Sequence, residues 1–224
     1  MDLVSWHSHS HRSNDVTSSL LHLVGAGLAI AVLVILVVLG ARLGTPGHVV
    51  GYTLYGSGLI FLYFASTLFH FIPYTRPRAK HFFQRIDHTA IYFFIAATYT
   101  PITFLALVGG WRWAMFGTVW GLAFLGAVTK LCWIRFPAWV SASLYVVMGW
   151  MIVIAFKPLL ASIDTLTFWL LFSGGITYTV GAVCYVLDFI LPQRKYFWMH
   201  ELFHLCVLGG SACHTIVMFF LLGD

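Results

Sequence analysis

Two histidines that share one helical face are the clearest chemical signal in this 224-residue sequence. His200 and His204 lie four residues apart near the start of the last apolar run, residues 199–222. On an α-helix this spacing puts the two imidazoles on the same face, about 5–6 Å apart at Cβ. Neutral imidazoles so arranged are suited to bind a metal ion, and zinc is the leading candidate. We therefore expect a metal site at the beginning of the last helix.

A third histidine, His70, ends an earlier apolar run and would complete a set of three ligands. Zinc held by three histidines with an open fourth position produces a hydroxide at neutral pH. Ser66 lies one turn before His70 on the same face, and Asp87 opens the next apolar run. We expect Asp87 to hold or deprotonate a water and Ser66 to bind that water or a developing oxyanion. His70 on its own would fit a core histidine bonded to a carbonyl, so the metal interpretation depends on all three.

The same segment also contains the letters H-E-x-x-H, in which Glu201 would be the base of a zinc peptidase. The motif lies in the last helix, with only His214 after it as a further ligand, and His214 is about 15 Å of helical rise away. We therefore expect Glu201 to be an interfacial carboxylate near Arg194 and Lys195, or a partner of a metal ligand. His22, early in the first apolar run, is expected to contact the site or a neighbouring helix. Asp188, His88 and His81 are expected at the membrane interface.

The composition points to lipid as the main solvent of this chain. Hydrophobic residues make up 60% of the sequence and charged residues only 8%, which a soluble domain of this length could not bury. The net charge of +5 indicates membrane topology rather than nucleic-acid binding, because no basic patch is interleaved with aromatics. The sequence leaves the oligomeric state open. The four cysteines lack metal-site spacing and are expected to pack in the spans.

Seven apolar runs predict an all-α integral membrane protein, a seven-transmembrane helix bundle in one domain, residues 17–224. The predicted spans are residues 17–41, 49–71, 87–108, 112–131, 137–158, 167–190 and 199–222. Residues 1–16 form a polar tail with His7, His9 and His11, which we expect to be solvated, with a weak metal-binding tract as the alternative. Pro101 should kink the third span, with neighbouring hydroxyls satisfying the freed carbonyl.

Basic residues orient the bundle, because cytoplasmic loops carry an excess of Lys and Arg. A cytoplasmic N-terminus puts nine basic residues inside and three outside. The inner set is Arg12, Arg76, Arg78, Lys80, Arg85, Lys130, Arg135, Arg194 and Lys195, and the outer set is Arg42, Arg112 and Lys157. We therefore predict a cytoplasmic N-terminus and an external C-terminus. This topology brings the clusters at His70, Asp87 and His200 to the inner leaflet.

Three motifs in this order resemble the hemolysin III family, the bacterial branch of the progestin and adipoQ receptor family. They are Ser66-x-x-x-His70, the segment from Asp87-His88 to Thr100-Pro101, and His200 to His204 followed by Ser211 to His214. The likeness covers residues 15–222. In the first span, where the family usually has an acidic residue, Asn and His, this chain has Asp15, Ser18 and His22. The wider superfamily includes the alkaline ceramidases.

The resemblance implies a seven-helix bundle with a cytoplasmic N-terminus and Zn²⁺ bound by His70, His200 and His204. Ser66 and Asp87 match the other two polar positions of the superfamily's site. We expect a multi-pass protein of the bacterial inner (plasma) membrane that hydrolyses a lipid amide or ester bond. The alternative is a receptor-like or membrane-homeostasis protein, including the hemolytic phenotype, in which zinc is structural. An intramembrane metallopeptidase is a third hypothesis.

Overall fold

A computed structural model describes residues 14–132, 136–192, 194 and 197–223. The histidines of the polar tail, His7, His9 and His11, lie outside the described residues, as do Arg135 and Lys195. Within the described chain, the regular structure is helical throughout. Seven helical spans of 22 to 30 residues are long and apolar enough to cross a bilayer. The predicted fold class is therefore confirmed.

The helices are α1 (Asn14–Leu43), α2 (Pro46–Phe71), α3 (Pro77–Pro101), α4 (Gly109–Leu131), α5 (Ala138–Gly149), α6 (Phe156–Leu160), α7 (Thr165–Ile190) and α8 (Met199–Phe220). A 3₁₀ segment, Trp150–Ala155, joins α5 to α6 within the fifth span. The third span begins at Pro77, ten residues before the predicted start at Asp87. Its first three turns are basic and aromatic, so an apolar run does not reveal them, although proline at the first helical position is typical.

Two of the spans depart from regular α-helix. After Pro101, α3 continues as a π-helical turn, Ile102–Ala106, and the Thr100 hydroxyl donates to the Ala96 carbonyl oxygen at 3.0 Å. The 3₁₀ segment in the fifth span was not predicted. It is held by Tyr99, whose hydroxyl donates to the Gly149 carbonyl oxygen at 2.7 Å and accepts from the Ile152 amide at 2.9 Å. A side chain of α3 thus satisfies the backbone groups that the break leaves open.

The helices pack around an internal cavity. Helix α1 packs on α2, α2 on α3, α3 on α5, α5 on α7, α7 on α8, and α8 returns to α1. Helix α4 lies against α3 and contributes no lining residue to this cavity. The outward faces are apolar: Val24, Leu28, Phe124 and Ile154 are each more than 60% exposed. Such faces are expected to contact lipid.

Candidate metal centre

Three histidine side chains from two helices converge at one end of the bundle. His70 is in the last turn of α2, and His200 and His204 are in the first two turns of α8. Their ring centroids are 4.8 to 5.1 Å apart in all three pairs. One ring nitrogen from each lies within 4.8 Å of the others. The structure therefore brings together the three residues that the sequence predicted as ligands.

Each of these imidazoles has a partner near Nδ1. The His70 Nδ1 lies 2.8 Å from Asp15 Oδ1, and because an ionised carboxylate only accepts, His70 Nδ1–H donates. His200 Nδ1 lies 3.7 Å from Asp188 Oδ2. The His204 Nδ1 lies 2.8 Å from the Nε2 of His22. Carboxylate and imidazole partners of this kind fix the tautomer of a metal-binding histidine and orient its ring.

The Nε2 atoms show that the site fits a cation. His70 Nε2 and His200 Nε2 are only 3.3 Å apart, and with protons on both Nδ1 atoms their lone pairs face each other. The His204 Nε2 is buried and has no hydrogen-bond partner among the described residues. A cation between the three rings would separate the two facing lone pairs and would give the His204 Nε2 a partner. The carboxylates of Asp15 and Asp188, behind two of the ligands, would offset part of the positive charge of an ion bound here.

A buried lysine supports the Asp15 carboxylate. Lys80, only 6% exposed, donates to Asp15 Oδ2 at 3.3 Å and to the Phe69 carbonyl oxygen at 2.9 Å. Its ammonium also lies 4.5 Å from the ring centroids of Phe69 and Tyr74. Tyr74 lies in the loop between α2 and α3, where burial and the Asp15 carboxylate raise the pKa of its phenol above the usual value. The phenol therefore stays neutral beside Asp15.

The two predicted catalytic residues, Ser66 and Asp87, line the same cavity as the three histidines. Asp87 interacts electrostatically with both His70 and His22. Its Oδ2 lies 3.4 Å from the Nδ1 of His88, and the Tyr185 hydroxyl lies 3.4 Å from the Nε2 of the same ring. Ser66 is 3% exposed on the face of α2 that carries His70. A carboxylate and a hydroxyl are thus present beside the proposed ligands.

The cavity extends from the histidines into the apolar interior of the bundle. It has a volume of about 160 Å³, and its wall includes Ile91, Phe94, Ala142, Val146 and Val207. Both His204 and His214 line it, and ten residues of helix correspond to about 15 Å of rise. One end of the cavity is therefore polar and able to hold a metal, while most of its length is apolar.

Several sequence predictions need correction here. Glu201 is fully buried rather than interfacial: it accepts from the Trp198 amide at 2.8 Å and from the Ser18 hydroxyl at 3.2 Å. It caps α8 and bridges to α1, and it does not line the cavity. Asp188 was expected at the interface, but it is 6% exposed and faces His200. His88 was also expected at the interface but lines the cavity, and His81 is exposed.

Reasoning from the residues alone gave no site role to Asp188 or Lys80. A signal for Asp188 was available, because an acidic residue inside an apolar span is by default a functional candidate. His22 contacts a predicted ligand, as the sequence suggested. His214 lines the far part of the cavity, and its Nε2 lies 3.2 Å from the Leu171 carbonyl oxygen. His214 is not part of the group of three that could hold an ion.

Similarity to known proteins covers nearly the whole chain. A profile of the Haemolysin-III related family matches residues 10–215. The chain is 37% identical to Hemolysin-3 of Bacillus cereus over 206 residues, which are 92% of this chain and 89% of that protein. It is 38% identical to a Hemolysin-3 homolog of Bacillus subtilis (strain 168) over 206 residues, 92% and 93% of the two chains. It is also 30% identical to human Monocyte to macrophage differentiation factor over 167 residues, 72% of this chain and 66% of the human one.

Proposed function

The chain belongs to the haemolysin-III related family of multi-pass membrane proteins, and we propose that it is a zinc-dependent hydrolase of lipid amide or ester bonds. The human relative supports its place in the wider progestin and adipoQ receptor family. The observation that carries the proposal is the convergence of one ring nitrogen from each of three histidines at the polar end of an apolar cavity. Three protein ligands are the number found in catalytic zinc sites, whereas structural sites are closed by four.

The residues around the site match the steps of acyl transfer to water. When bound, zinc with three histidine ligands supplies a hydroxide nucleophile and polarises a carbonyl. Asp87 would accept the proton of the attacking water and return it to the leaving amine or alcohol. The Ser66 hydroxyl would donate a hydrogen bond to the carbonyl oxygen as it becomes negative. Both side chains line the cavity with the histidines.

A lipid is the substrate class that suits the cavity. The apolar walls would hold an acyl chain, and the chain's carbonyl would then lie at the histidine end. Peptide hydrolysis is less well supported, because the Glu201 carboxylate accepts hydrogen bonds from Trp198 and Ser18 within the helix cap. A carboxylate so engaged is not available as the base of an H-E-x-x-H peptidase.

We place the site at the cytoplasmic side of the bacterial inner membrane. The ends of α2 and α7 and the starts of α3 and α8 meet at the site, and this end of the bundle carries Arg76, Arg78 and Lys130. Basic residues mark the cytoplasmic side. Cys132, an exposed thiol after α4, lies at the same end. A membrane-impermeant maleimide should label Cys132 in inverted vesicles but not in intact cells. Labelling in intact cells would show that this end of the bundle faces the outside.

The decisive experiment combines metal analysis with hydrolysis. Purified protein should contain one equivalent of zinc and release fatty acid from a panel of lipid amides and esters. His204→Ala should lose both zinc and hydrolysis, while a lipid-facing control, Leu28→Ala, should keep both. Full hydrolytic activity in His204→Ala would refute the proposal.

The second candidate is a receptor-like or membrane-homeostasis protein with a structural zinc ion. It is favoured by the burial of two of the ligands, since His204 is 1% and His70 7% exposed. X-ray absorption spectroscopy separates the two candidates. Three nitrogen ligands and one exchangeable oxygen support the hydrolase, whereas a fourth protein ligand supports the structural role.

A further inference from the structure

His22 differs from the other partners of the histidine site because it is itself an imidazole. The two carboxylates near His70 and His200 only accept hydrogen bonds, but a neutral imidazole both accepts and donates. His22 is 2% exposed, lies in α1 and lines the cavity. Its ring centroid is 3.9 Å from that of His204 and 5.0 Å from that of Tyr63.

The contact with His204 fixes where the His22 proton lies. If His204 uses Nε2 toward the metal, its proton is on Nδ1 and is donated to His22 Nε2 at 2.8 Å. His22 Nε2 is then the acceptor, so His22 carries its own proton on Nδ1. That Nδ1 is buried and has no hydrogen-bond partner among the described residues. A buried donor without an acceptor is unfavourable, so this Nδ1–H would gain by donating to a bound ligand.

We propose that His22 binds the acyl group of the lipid: its Nδ1–H donates to the acyl oxygen while its Nε2 positions His204. The identity of the lipid rests on the proposed function, whereas the contact with His204 does not. The His22 donor is available to a lipid oxygen in this cavity, because His22 lines it together with Ser66 and Asp87. His22 thus links metal binding to ligand binding through the two nitrogens of one ring.

Amide substitutions separate the two nitrogens. In His22→Gln, the longer amide can reach the position of Nε2 and accept from His204, but nothing replaces the Nδ1–H donor. In His22→Asn, the shorter amide can donate near the position of Nδ1 but does not reach His204. His22→Ala removes both contacts. Ser57→Ala, in α2 and away from the cavity lining, is the control.

The experiment measures two affinities on full-length protein in detergent: zinc by chelator competition, and palmitate, as the acyl carboxylate probe, on zinc-saturated protein. We expect His22→Gln to keep zinc affinity within about threefold and to bind palmitate about 10-fold more weakly. We expect His22→Asn to lose about 10- to 100-fold in zinc affinity and to keep palmitate affinity within about threefold. His22→Ala should lose both.

Wild-type palmitate affinity in His22→Gln would overturn the donor role, and wild-type zinc affinity in His22→Ala would overturn the positioning role. If the wild-type protein bound zinc but neither bound palmitate nor hydrolysed lipids, the proposed function and the acyl contact would both fail. The zinc measurements would still decide the positioning role. Should His22→Gln not fold, ¹⁵N-histidine NMR of the wild-type protein gives the same answer. Palmitate must shift the Nδ1 resonance of His22, and an unchanged resonance overturns the contact.

Discussion

Replacing Asp15 by asparagine tests whether the carboxylates behind the ligands determine metal affinity. Asp15 Oδ1 accepts from His70 Nδ1–H at 2.8 Å, and Oδ2 accepts from Lys80 at 3.3 Å. The amide of asparagine has one acceptor, so if its oxygen stays on His70 its NH₂ group faces the Lys80 ammonium. The negative charge that makes His70 a stronger ligand is also lost. Lys80 keeps its bond to the Phe69 carbonyl oxygen, so the damage should concentrate on His70.

The expected loss of zinc affinity follows from what the hydrogen-bond partners of metal-binding histidines contribute. Removing the hydrogen-bond partner of a metal-binding histidine typically weakens metal affinity about 10- to 100-fold. This corresponds to about 1.4 to 2.7 kcal/mol of binding free energy. The lower end applies if asparagine still accepts from His70, and the upper end applies if the amide turns toward Lys80.

The assay is competition between the protein and a zinc chelator in detergent, with thermal melting as a check on folding. Asp164→Asn is the matched control, because it also removes one carboxylate but lies in the loop before α7, at the opposite end of the bundle. We expect it to bind zinc as the wild-type protein does. A zinc affinity of Asp15→Asn within about twofold of wild type would refute the idea that Asp15 acts through His70.

Three further predictions concern the helix cap, the cavity and pH. Glu201→Ala should lower the melting temperature, because it leaves the buried Ser18 hydroxyl and the Trp198 amide unpaired, each at a cost of about 1–3 kcal/mol, while zinc binding persists. Loss of zinc with an unchanged melting temperature would contradict the cap role. Gly175→Leu should reduce lipid hydrolysis without changing zinc affinity, because a Cβ there meets Trp150 at an ordinary 3.6 Å and the longer side chain enters the cavity; unchanged hydrolysis would show that the lipid lies elsewhere. Hydrogen bonds from the Thr167 hydroxyl and the first backbone amides of α7 hold the pKa of Asp164 below its usual value. Its stabilisation should therefore be present at neutral pH and disappear as the pH falls through that lowered pKa, and melting curves of Asp164→Asn should lack this acid-side loss.

The fold could be predicted from the sequence because its main signal is apolar length. Seven runs long enough to span a bilayer are visible without knowing how the helices pack. The break in the fifth span could not be found in this way, since residues 150–155 are uniformly apolar and contain no proline. The break is held by Tyr99, which belongs to another helix. Contacts between helices are not visible in local patterns.

The same distinction holds at the site. His200 and His204 could be paired from their spacing, and topology brought His70 to the same end of the bundle. The position of Asp188 depends on the rotation of α7 against α8, which spacing within one helix does not give. Glu201 carried a misleading signal, because the H-E-x-x-H pattern overlaps with a helix cap. A glutamate at the third position of a helix commonly accepts a hydrogen bond from the backbone amide of the residue just before the helix. Glu201 accepts such a bond from Trp198.

Helix α1 explains how ligands from α2 and α8 are held in register. Asp15, Ser18 and His22 lie three and four residues apart and therefore on one face of α1. Asp15 contacts His70 of α2, whereas Ser18 and His22 contact Glu201 and His204 of α8. The first helix thus joins the two ligand-bearing helices at the end of the bundle where the histidines meet.

At the far end of the bundle, α2 contacts α8 directly through tyrosines. The Tyr52 hydroxyl donates to the Met218 carbonyl oxygen at 2.6 Å, and the Tyr55 hydroxyl lies 2.8 Å from the Thr215 hydroxyl oxygen. A metal site requires its ligands to be placed within about 0.5 Å. Contacts at both ends of the helix pair, through α1 at the histidine end and through the tyrosines at the other, therefore restrict tilting and sliding of α2 against α8.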